Sequence, residues 1–166
     1  DPSSLGELIA PSVIYHEGVY KMWVMKKNKI YFMTSTDGKE WSEPVEVLTN
    51  GESFTTWHPT VVLYNNKFHM FNTRWFGEVK YSTASLGGET SFSDQKTILS
   101  PTGNEWDLDG KGLYHATPIF HENSVMVIYG MVSYGNDYTL GLVSGLDVYH
   151  LETVPQKAYE FYGVEC

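Results

Sequence analysis

An all-β fold of repeated four-stranded antiparallel sheets is the fold class that the sequence predicts. Residues 9–23, 57–71 and 114–128 each contain an apolar run, a short polar turn and a second apolar run, which is the pattern of a β-hairpin. The copies follow one another at intervals of 48 and 57 residues, and repeats of about 50 residues are typical of β-propellers and solenoids. The chain is also 15% aromatic, a composition that suits pleated strands.

The first repeat predicts blade one, which we place at about residues 7–49. Its apolar runs predict strands over 11–15, 19–25, 30–34 and 45–48. The segments between them, such as Ser35-Thr36-Asp37-Gly38, contain Gly, Asn and Asp, which adopt positive φ angles at little cost. Four antiparallel strands are the unit of a propeller blade.

The other two repeats predict blades two and three, at about residues 55–100 and 112–155. We expect strands over 60–64, 68–73, 78–83 and 96–99, and then over 117–121, 125–132, 138–144 and 148–152. An aromatic residue follows the third strand of each blade (Trp41, Phe92 and Tyr149), and we expect it to wedge between neighbouring blades. With a tail strand over 157–165, residues 1–166 would form a single propeller-like domain of three blades.

Three blades are fewer than the four to eight that close most propellers. The sheets at the two ends would then expose faces and edges, which proteins normally cover. Three arrangements would resolve this. The chain is part of a longer propeller, it associates into a ring, or its terminal segments cap an open stack.

The charge and the composition exclude several classes of function. The formal net charge is −9, with 20 acidic against 11 basic residues, which disfavours binding to nucleic acid and to anionic membranes. The longest strongly apolar run, residues 125–132, is far shorter than the ~20 residues of a membrane span. The one cysteine, Cys166, cannot form an internal disulfide. The histidines lack metal-ligand spacing, and a site at His58 and His115 would need a third ligand, so neither a metal nor a cofactor is predicted.

The candidate binding residues lie at the starts of the first strands of the blades. These strands line the central channel of a propeller, so their first residues converge near its axis. Trp57-His58 and Tyr114-His115 are two aromatic–histidine pairs in such positions. Aromatic faces cover the apolar side of a sugar ring and imidazoles bond its hydroxyls, although packing alone is the alternative role. Arg74, at the end of a second strand, would bind an anionic group or pair with a neighbouring acid.

The repeat resembles that of a known family of enzymes. Residues 30–41, with Ser35-Thr36-Asp37-Gly38 and Trp41, resemble the repeat of five-bladed propeller glycosidases of the arabinanase, xylosidase and invertase type. Residues 11–22 are similar to the inner hairpin of these enzymes, and the Asp-Gly turn is also similar to the sialidase Asp-box. The resemblance implies a five-bladed propeller architecture more directly than it implies an activity.

The resemblance also implies where catalytic carboxylates would lie. The base falls on Ala10, the carboxylate that adjusts the acid falls on Thr60, and the acid falls on Ala116. None of these side chains can transfer a proton, so we predict no catalytic residue at the family positions. Other acids near the inner strands are the alternative; they are Glu7, Glu78, Asp107 and Asp109.

These observations predict a non-catalytic carbohydrate-recognition module that binds a neutral cell-surface or cell-wall sugar. The repeat also resembles the propeller platform in receptor-binding proteins of tailed phages, which implies a homo-oligomer at a virion surface or otherwise outside the cell. One alternative is a propeller glycoside hydrolase, or a fragment of one, that uses shifted carboxylates. The other is a structural domain whose blades only bind partner chains.

Overall fold

The computed structural model describes residues 8–74 and 76–153, and this part of the chain consists of β-strands, turns and loops. The all-β prediction is confirmed. No segment of this part forms a helix with the length and hydropathy needed to cross a membrane. In chain order the strands are β1 (Ile9–His16), β2 (Val19–Lys26), β3 (Lys29–Ser35), β4 (Val45–Glu46), β5 (Leu48–Thr49), β6 (Trp57–Tyr64), β7 (Lys67–Thr73), β8 (Val79–Ser85), β9 (Ser91–Phe92), β10 (Lys96–Leu99), β11 (Gly112–His121), β12 (Ser124–Val132), β13 (Tyr138–Gly145) and β14 (Leu151–Thr153).

Three four-stranded antiparallel sheets form the three blades, as the repeats predict. Blade one has the strand order β1-β2-β3-β4, blade two β6-β7-β8-β10 and blade three β11-β12-β13-β14. Each inner hairpin has a two-residue turn, at 17–18, 65–66 and 122–123. Both turn residues of the first two hairpins have positive φ angles, 51° at Glu17 and 80° at Gly18 and then 48° at Asn65 and 56° at Asn66. This is the conformation of type I′ turns, whose twist matches that of the flanking strands.

The outermost strands differ from the prediction. The segment predicted as one strand over 45–48 forms β4, and the chain then crosses to blade two as β5, which pairs in parallel with β9. In blade three the fourth strand begins only at Leu151, because Asp147 caps a turn by accepting a bond from the Tyr149 amide at 2.8 Å. The tail strand predicted over 157–165 and the acid Glu7 lie outside the described residues.

Apolar side chains fill the junction between blades one and two. Trp23 is fully buried, with its ring centroid 5.1 Å from that of Phe68, and its indole N–H donates to the carbonyl oxygen of Glu89 at 2.9 Å. Lys21 and Glu89 form an ion pair across the same junction. Burying a large aromatic side chain stabilises a fold by about 1.5–3 kcal/mol. The buried residues of this junction are Trp23, Ile30, Val47, Val61, Phe68, Met70, Ala84 and Phe92.

A second apolar cluster fills the junction between blades two and three. Phe71 and Val127 are fully buried in it, and Tyr64 of blade two stacks on Phe120 of blade three with ring centroids 4.7 Å apart. The aromatic residues after the third strands behave unequally. Phe92 is buried between blades one and two, whereas Tyr149 is 53% exposed beside Tyr81 at the other junction.

Candidate functional site

The inner strand of each blade is interrupted by a β-bulge near its start, and the candidate site lies at these bulges. In β6 the pairing register shifts between Trp57 and Thr60, so that His58 and Pro59 oppose one residue of β7. β1 shifts in the same way between residues 9 and 12, and β11 between residues 113 and 116. A bulge bends the strand and redirects its side chains, and bulges occur often beside functional sites.

The bulge of blade three is displaced by one residue from the sequence repeat. The hairpin turns of blades two and three correspond at the interval of 57 residues that aligns His58 with His115. The bulges instead correspond at an interval of 56 residues, because they begin at Trp57 and at Leu113. His58 therefore shares its bulge position with Tyr114, and His115 lies one residue further along the strand.

The first bulge residue of blades one and two has a left-handed backbone. The φ angle is 52° at Ala10 and 44° at His58. For a residue with a side chain this conformation costs on the order of 1 kcal/mol or more, and it persists where the surrounding structure enforces it. The folded chain thus holds the His58 ring in one direction, against the preference of its own backbone.

Four of the predicted site residues meet as a group of rings. The ring centroids of His58 lie 4.6 Å from Tyr114, 5.6 Å from His115 and 5.4 Å from Trp57. We call Trp57, His58, Tyr114 and His115 the ring cluster. Blade two contributes the first two side chains and blade three the last two, so the cluster spans the junction of these blades. Tyr138, whose ring centroid lies 6.0 Å from that of Tyr114, extends it along blade three.

A buried hydroxyl connects the two halves of the ring cluster from below. Thr73, which is fully buried, donates to the backbone oxygen of Tyr114 at 2.6 Å and approaches that of Trp57 at 3.4 Å. Behind it, Asn72 donates to the hydroxyl of Thr56 at 2.6 Å, and Thr56 donates to the Thr73 carbonyl oxygen at 3.2 Å. The repeat pattern of the sequence does not predict these residues. Their signal is the polar pair Asn72-Thr73, which directly follows the buried apolar residues Met70 and Phe71 at the end of β7.

The two histidines of the ring cluster are held neutral. Burial lowers the pKa of His58, and the nearby His115 lowers it further. Burial also lowers the pKa of His115. His115 Nε2 lies 3.5 Å from the hydroxyl of Thr60, while His58 Nε2 is buried and no described residue hydrogen-bonds to it. A neutral imidazole offers one donor and one acceptor, which suits exchange of hydrogen bonds with hydroxyl groups.

Two separate recesses flank the ring cluster. Trp57 and Arg74 line one of about 320 Å³, together with Asn28, Thr55 and Thr56. Tyr114 and His115 line the other, of about 330 Å³, whose walls also include Tyr138, Thr139 and Leu140. Arg74 therefore accompanies Trp57 and does not share a recess with the blade-three pair. Its guanidinium forms no ion pair with the residues that the structure describes.

The positions that the resemblance assigns to carboxylates have different environments. Ala10 lies in the bulge of blade one, and Thr60 lies beside His115. Ala116 is 1% exposed and belongs to the apolar cluster between blades two and three. A carboxylate at this last position would be removed from water, which strongly disfavours its ionised form.

The described alternative acids take part in local contacts. Glu78 accepts a hydrogen bond from Thr97 at 3.0 Å and lies 3.7 Å from the Lys80 ammonium. Asp109 accepts a bond from Thr102 at 3.1 Å within the loop before β11. Asp107 is in the same loop, where its carbonyl oxygen closes a turn onto Gly110. Within residues 8–74 and 76–153, no group of three His, Cys, Asp or Glu side chains could hold a metal ion.

Comparisons with known proteins identify the class of fold. No protein-family model and no curated protein matches the sequence. Similar solved structures include an endo-1,4-β-xylanase from Bacteroides thetaiotaomicron, with a TM-score of 0.72 and 14% identity over 90% of this chain and 54% of that chain. Another is an N-acetylgalactosamine deacetylase from F. plautii in complex with blood group B trisaccharide. Its TM-score is 0.68, with 16% identity over 83% of this chain and 50% of that chain. A third is a family 117 glycoside hydrolase from Zobellia galactanivorans. Its TM-score is 0.68, with 16% identity over 89% of this chain and 55% of that chain.

The likeness shows that this chain has the β-propeller fold found in carbohydrate-active enzymes. The chain spans about half the length of these three structures. At 14 to 16% identity the likeness concerns the fold alone, and the activities of those proteins are not thereby transferred to this chain.

Proposed function

We propose that this chain is a carbohydrate-binding module that holds a neutral sugar at the ring cluster and does not hydrolyse it. The observation that carries the proposal is the meeting of aromatic and imidazole rings from two blades at bulged strand starts. The face of Tyr114 or Trp57 suits the apolar C–H side of a pyranose. His115 and Thr60 suit its hydroxyl groups.

Charge supports a neutral ligand. The chain carries a net charge of −9, which repels anionic polymers. The lowered pKa values of His58 and His115 leave both rings uncharged at neutral pH, so the ring cluster itself offers no cation. Arg74 is the nearby cation, and it lines the recess on the blade-two side only.

The absence of hydrolysis is proposed from the chemistry of the assigned positions. Glycoside hydrolysis in most families needs a pair of carboxylates about 5–10 Å apart on either side of the scissile bond. Ala10, Thr60 and Ala116 stand at the positions that the resemblance assigns to these groups. Burial of Ala116 in the apolar junction argues further against proton transfer at that point.

The second candidate is a glycoside hydrolase that uses other carboxylates. The observation in its favour is that the solved structures of similar fold include a xylanase and a family 117 glycoside hydrolase. The two candidates differ in whether the sugar is retained or cleaved. We expect no release of reducing sugar from arabinan, xylan or fructan. Sustained turnover that is lost on replacing Asp107 or Asp109 would establish the second candidate.

The test of binding is a titration of the full chain with neutral oligosaccharides, followed by NMR. Xylo-oligosaccharides, arabino-oligosaccharides and N-acetylhexosamines are suitable probes. A sugar stacked on one ring with two or three hydrogen bonds should bind at roughly millimolar Kd, or about 4 kcal/mol. Tyr114→Ala and Trp57→Ala should each weaken binding by about 1 kcal/mol or more through loss of stacking.

Trp106→Ala is the matched control, because this indole is 85% exposed and lines neither recess. It should leave the affinity unchanged. If no probe binds, or if binding is equally strong in Tyr114→Ala, Trp57→Ala and wild type, the sugar site is not the ring cluster. A chain that binds no glycan but self-associates would favour the structural role.

Attachment of a virion to host cell-wall glycans is a narrower form of this proposal, and the resemblance to phage platform domains is what supports it. It adds that several copies act together outside the cell. Linked copies would raise a millimolar affinity through effective concentration. Binding to purified Gram-positive cell walls, and its displacement by free sugar, would test this form.

A further inference from the structure

The two blade junctions are filled differently near the turns of the inner hairpins. Lys21 in blade one and His69 in blade two occupy the same position, because each is the third residue after its two-residue turn. Each side chain contacts the next blade, Lys21 at Glu89 and His69 at Phe120. The two junctions can therefore be compared residue by residue at this end of the hairpins.

An ion pair closes the junction between blades one and two. The side chains of Lys21 and Glu89 are only 18% and 12% exposed. The indole N–H of Trp23 holds the same loop by donating to the Glu89 carbonyl oxygen. The recess that remains beside this pair has a volume of about 230 Å³.

The junction between blades two and three has a buried imidazole in place of the ion pair. His69 Nε2 lies 3.1 Å from the carbonyl oxygen of Tyr64, which can only accept, so Nε2 carries the hydrogen. His69 Nδ1 therefore accepts a hydrogen bond from the Tyr81 hydroxyl at 2.7 Å. Both bonds hold the imidazole within blade two, and a recess of about 520 Å³ opens beside it. This recess, which we call the turn recess, is larger than either recess beside the ring cluster.

Aromatic rings supply apolar surface in the turn recess. Tyr64 and Phe120, from the inner strands, stack with ring centroids 4.7 Å apart. Tyr149, from the loop after β13, lies with its ring centroid 5.8 Å from that of Tyr81. The side chain of Tyr149 is nevertheless 53% exposed. An exposed ring at the mouth of a recess can cover the apolar side of a ligand.

Hydrogen-bonding groups of both kinds surround these rings. Asn65 and Asn123, in the two hairpin turns, have amide groups that donate and accept. The carboxylate of Asp147 accepts, and its bond to His150 lowers its pKa, so that it is ionised at neutral pH. One cation and one further anion complete the rim; they are Lys67 and Glu122. Mixed donors and acceptors without an excess of positive charge suit hydroxyl groups better than a phosphate or a sulfate.

We propose that the turn recess is a second saccharide site, which takes a neutral sugar with Tyr149 against the apolar side of its ring. The site is separate from the ring cluster, because Trp57 begins β6 and Tyr64 ends it, and a strand of this length spans roughly 20 Å. One sugar ring cannot reach both places, so this site does not depend on the function proposed for the ring cluster. A module with two sites would hold a glycan at two points and gain avidity through effective concentration.

An NMR titration of the full chain with backbone amide signals as the readout tests the second site. The probes are the xylo-oligosaccharides, arabino-oligosaccharides and N-acetylhexosamines already named. Signals of residues 122–125 and 146–149 should shift and saturate with a Kd of roughly 1 mM. The double variant Trp57→Ala/Tyr114→Ala lacks the stacking rings of the ring cluster, and the shifts at the turn recess should persist in it.

Substitutions at the turn recess test which groups hold the sugar. Tyr149→Ala should weaken binding there about threefold to tenfold and leave the ring-cluster shifts unchanged, while Tyr149→Phe keeps the ring and should bind within about twofold of wild type. Asn123→Ala should weaken binding about twofold to tenfold through loss of a hydrogen bond. This side chain is exposed, so the variant should fold. Tyr134→Ala is the matched control, because Tyr134 is 54% exposed and lines none of these recesses.

Two results would overturn the proposal. Signals of the turn recess that stay unmoved at the highest soluble concentration of every probe would leave this recess without a sugar, whatever the ring cluster binds. Equal Kd values for Tyr149→Ala, Asn123→Ala and Tyr134→Ala, in variants with a wild-type circular-dichroism spectrum, would place the contact elsewhere. Shifts at the turn recess without shifts at the ring cluster would support this second site and contradict the function proposed above.

Discussion

Replacing Thr73 by Val tests whether the buried hydroxyl beneath the ring cluster connects the inner strands of blades two and three. The two side chains have nearly the same shape, so the change removes the hydroxyl and leaves the packing. In the native chain this hydroxyl donates to the Tyr114 carbonyl oxygen at 2.6 Å, in a bulge where the regular ladder of β11 and β12 is interrupted. The variant leaves that oxygen without its donor.

The expected loss follows from the burial of the site. Thr73 is 0% exposed, so water cannot replace the lost donor without opening the junction. An unsatisfied buried carbonyl costs about 1–3 kcal/mol, and the added apolar methyl group offsets only part of this. We expect the free energy of unfolding to fall by about 1–2 kcal/mol. For a chain of this length, each kcal/mol corresponds to a Tm lower by about 2–4 °C.

Equilibrium unfolding in urea measures the difference. The midpoint should fall and the slope of the unfolding free energy against urea should stay unchanged, because the surface exposed on unfolding is the same. Thr97→Val is the matched control. This threonine is exposed and its hydroxyl donates to the Glu78 carboxylate at the surface, so the change should stay within about 0.5 kcal/mol. Equal stabilities of Thr73→Val and Thr97→Val would refute the reasoning.

Three further predictions concern backbone fit, charge and pH. Gly112→Ala should destabilise the chain by about 1–3 kcal/mol, because an added Cβ would lie 2.1 Å from the backbone oxygen of Phe76. Lys21→Met should cost about 1–3 kcal/mol, because it leaves the largely buried Glu89 carboxylate without its partner. Burial lowers the pKa of His69, whose Nδ1 lies 2.7 Å from the Tyr81 hydroxyl. Since the unfolded chain then takes up the proton first, stability should fall as the pH drops below about 6.5, by at most about 1.4 kcal/mol per pH unit for each such histidine.

Each of these predictions has its own control, measured in the same urea assay. Gly130→Ala should cost less than Gly112→Ala, since its Cβ would meet Tyr114 at 3.4 Å, a distance that a small shift accommodates. Lys29→Met breaks the more exposed pair with Glu46 and should cost less than Lys21→Met, because water screens the exposed pair. His69→Gln should make the pH dependence between about 7.5 and 5.5 shallower. Equal costs within a pair, or a stability independent of pH, would contradict the corresponding argument.

The hairpins could be predicted from the sequence because two independent signals coincide there. The Asn65-Asn66 pair accepts the left-handed φ angles of a type I′ turn, and apolar runs of the right length flank it. The β5–β9 pair had no comparable signal, since two residues are too few to show a period. The predicted strand over 45–48 therefore missed the point where the chain leaves blade one for blade two.

The ring cluster was predictable in its members but not in its geometry. The aromatic–histidine pairs stand out in the sequence, and their rings do meet. The sequence repeat aligns His58 with His115, but the bulges align His58 with Tyr114. The sequence does not reveal this shift, because a bulge adds one residue to a strand and leaves the hydrophobic pattern on either side intact. The polar chain from Asn72 through Thr56 to Thr73 depends on contacts between separate strands, which no local pattern reports.

The parallel pair of β5 and β9 gives the two blade junctions different mechanical properties. Blade one is joined to blade two by backbone bonds from the Leu48 amide to Thr90 at 2.9 Å and from the Asn50 amide to Phe92 at 2.8 Å. Between blades two and three, the backbone bond from the Leu113 amide to Gly77 at 3.0 Å is the corresponding connection. When the chain is pulled from its two ends, we expect blade three to detach first. Blades one and two should then come apart from each other only at a higher force.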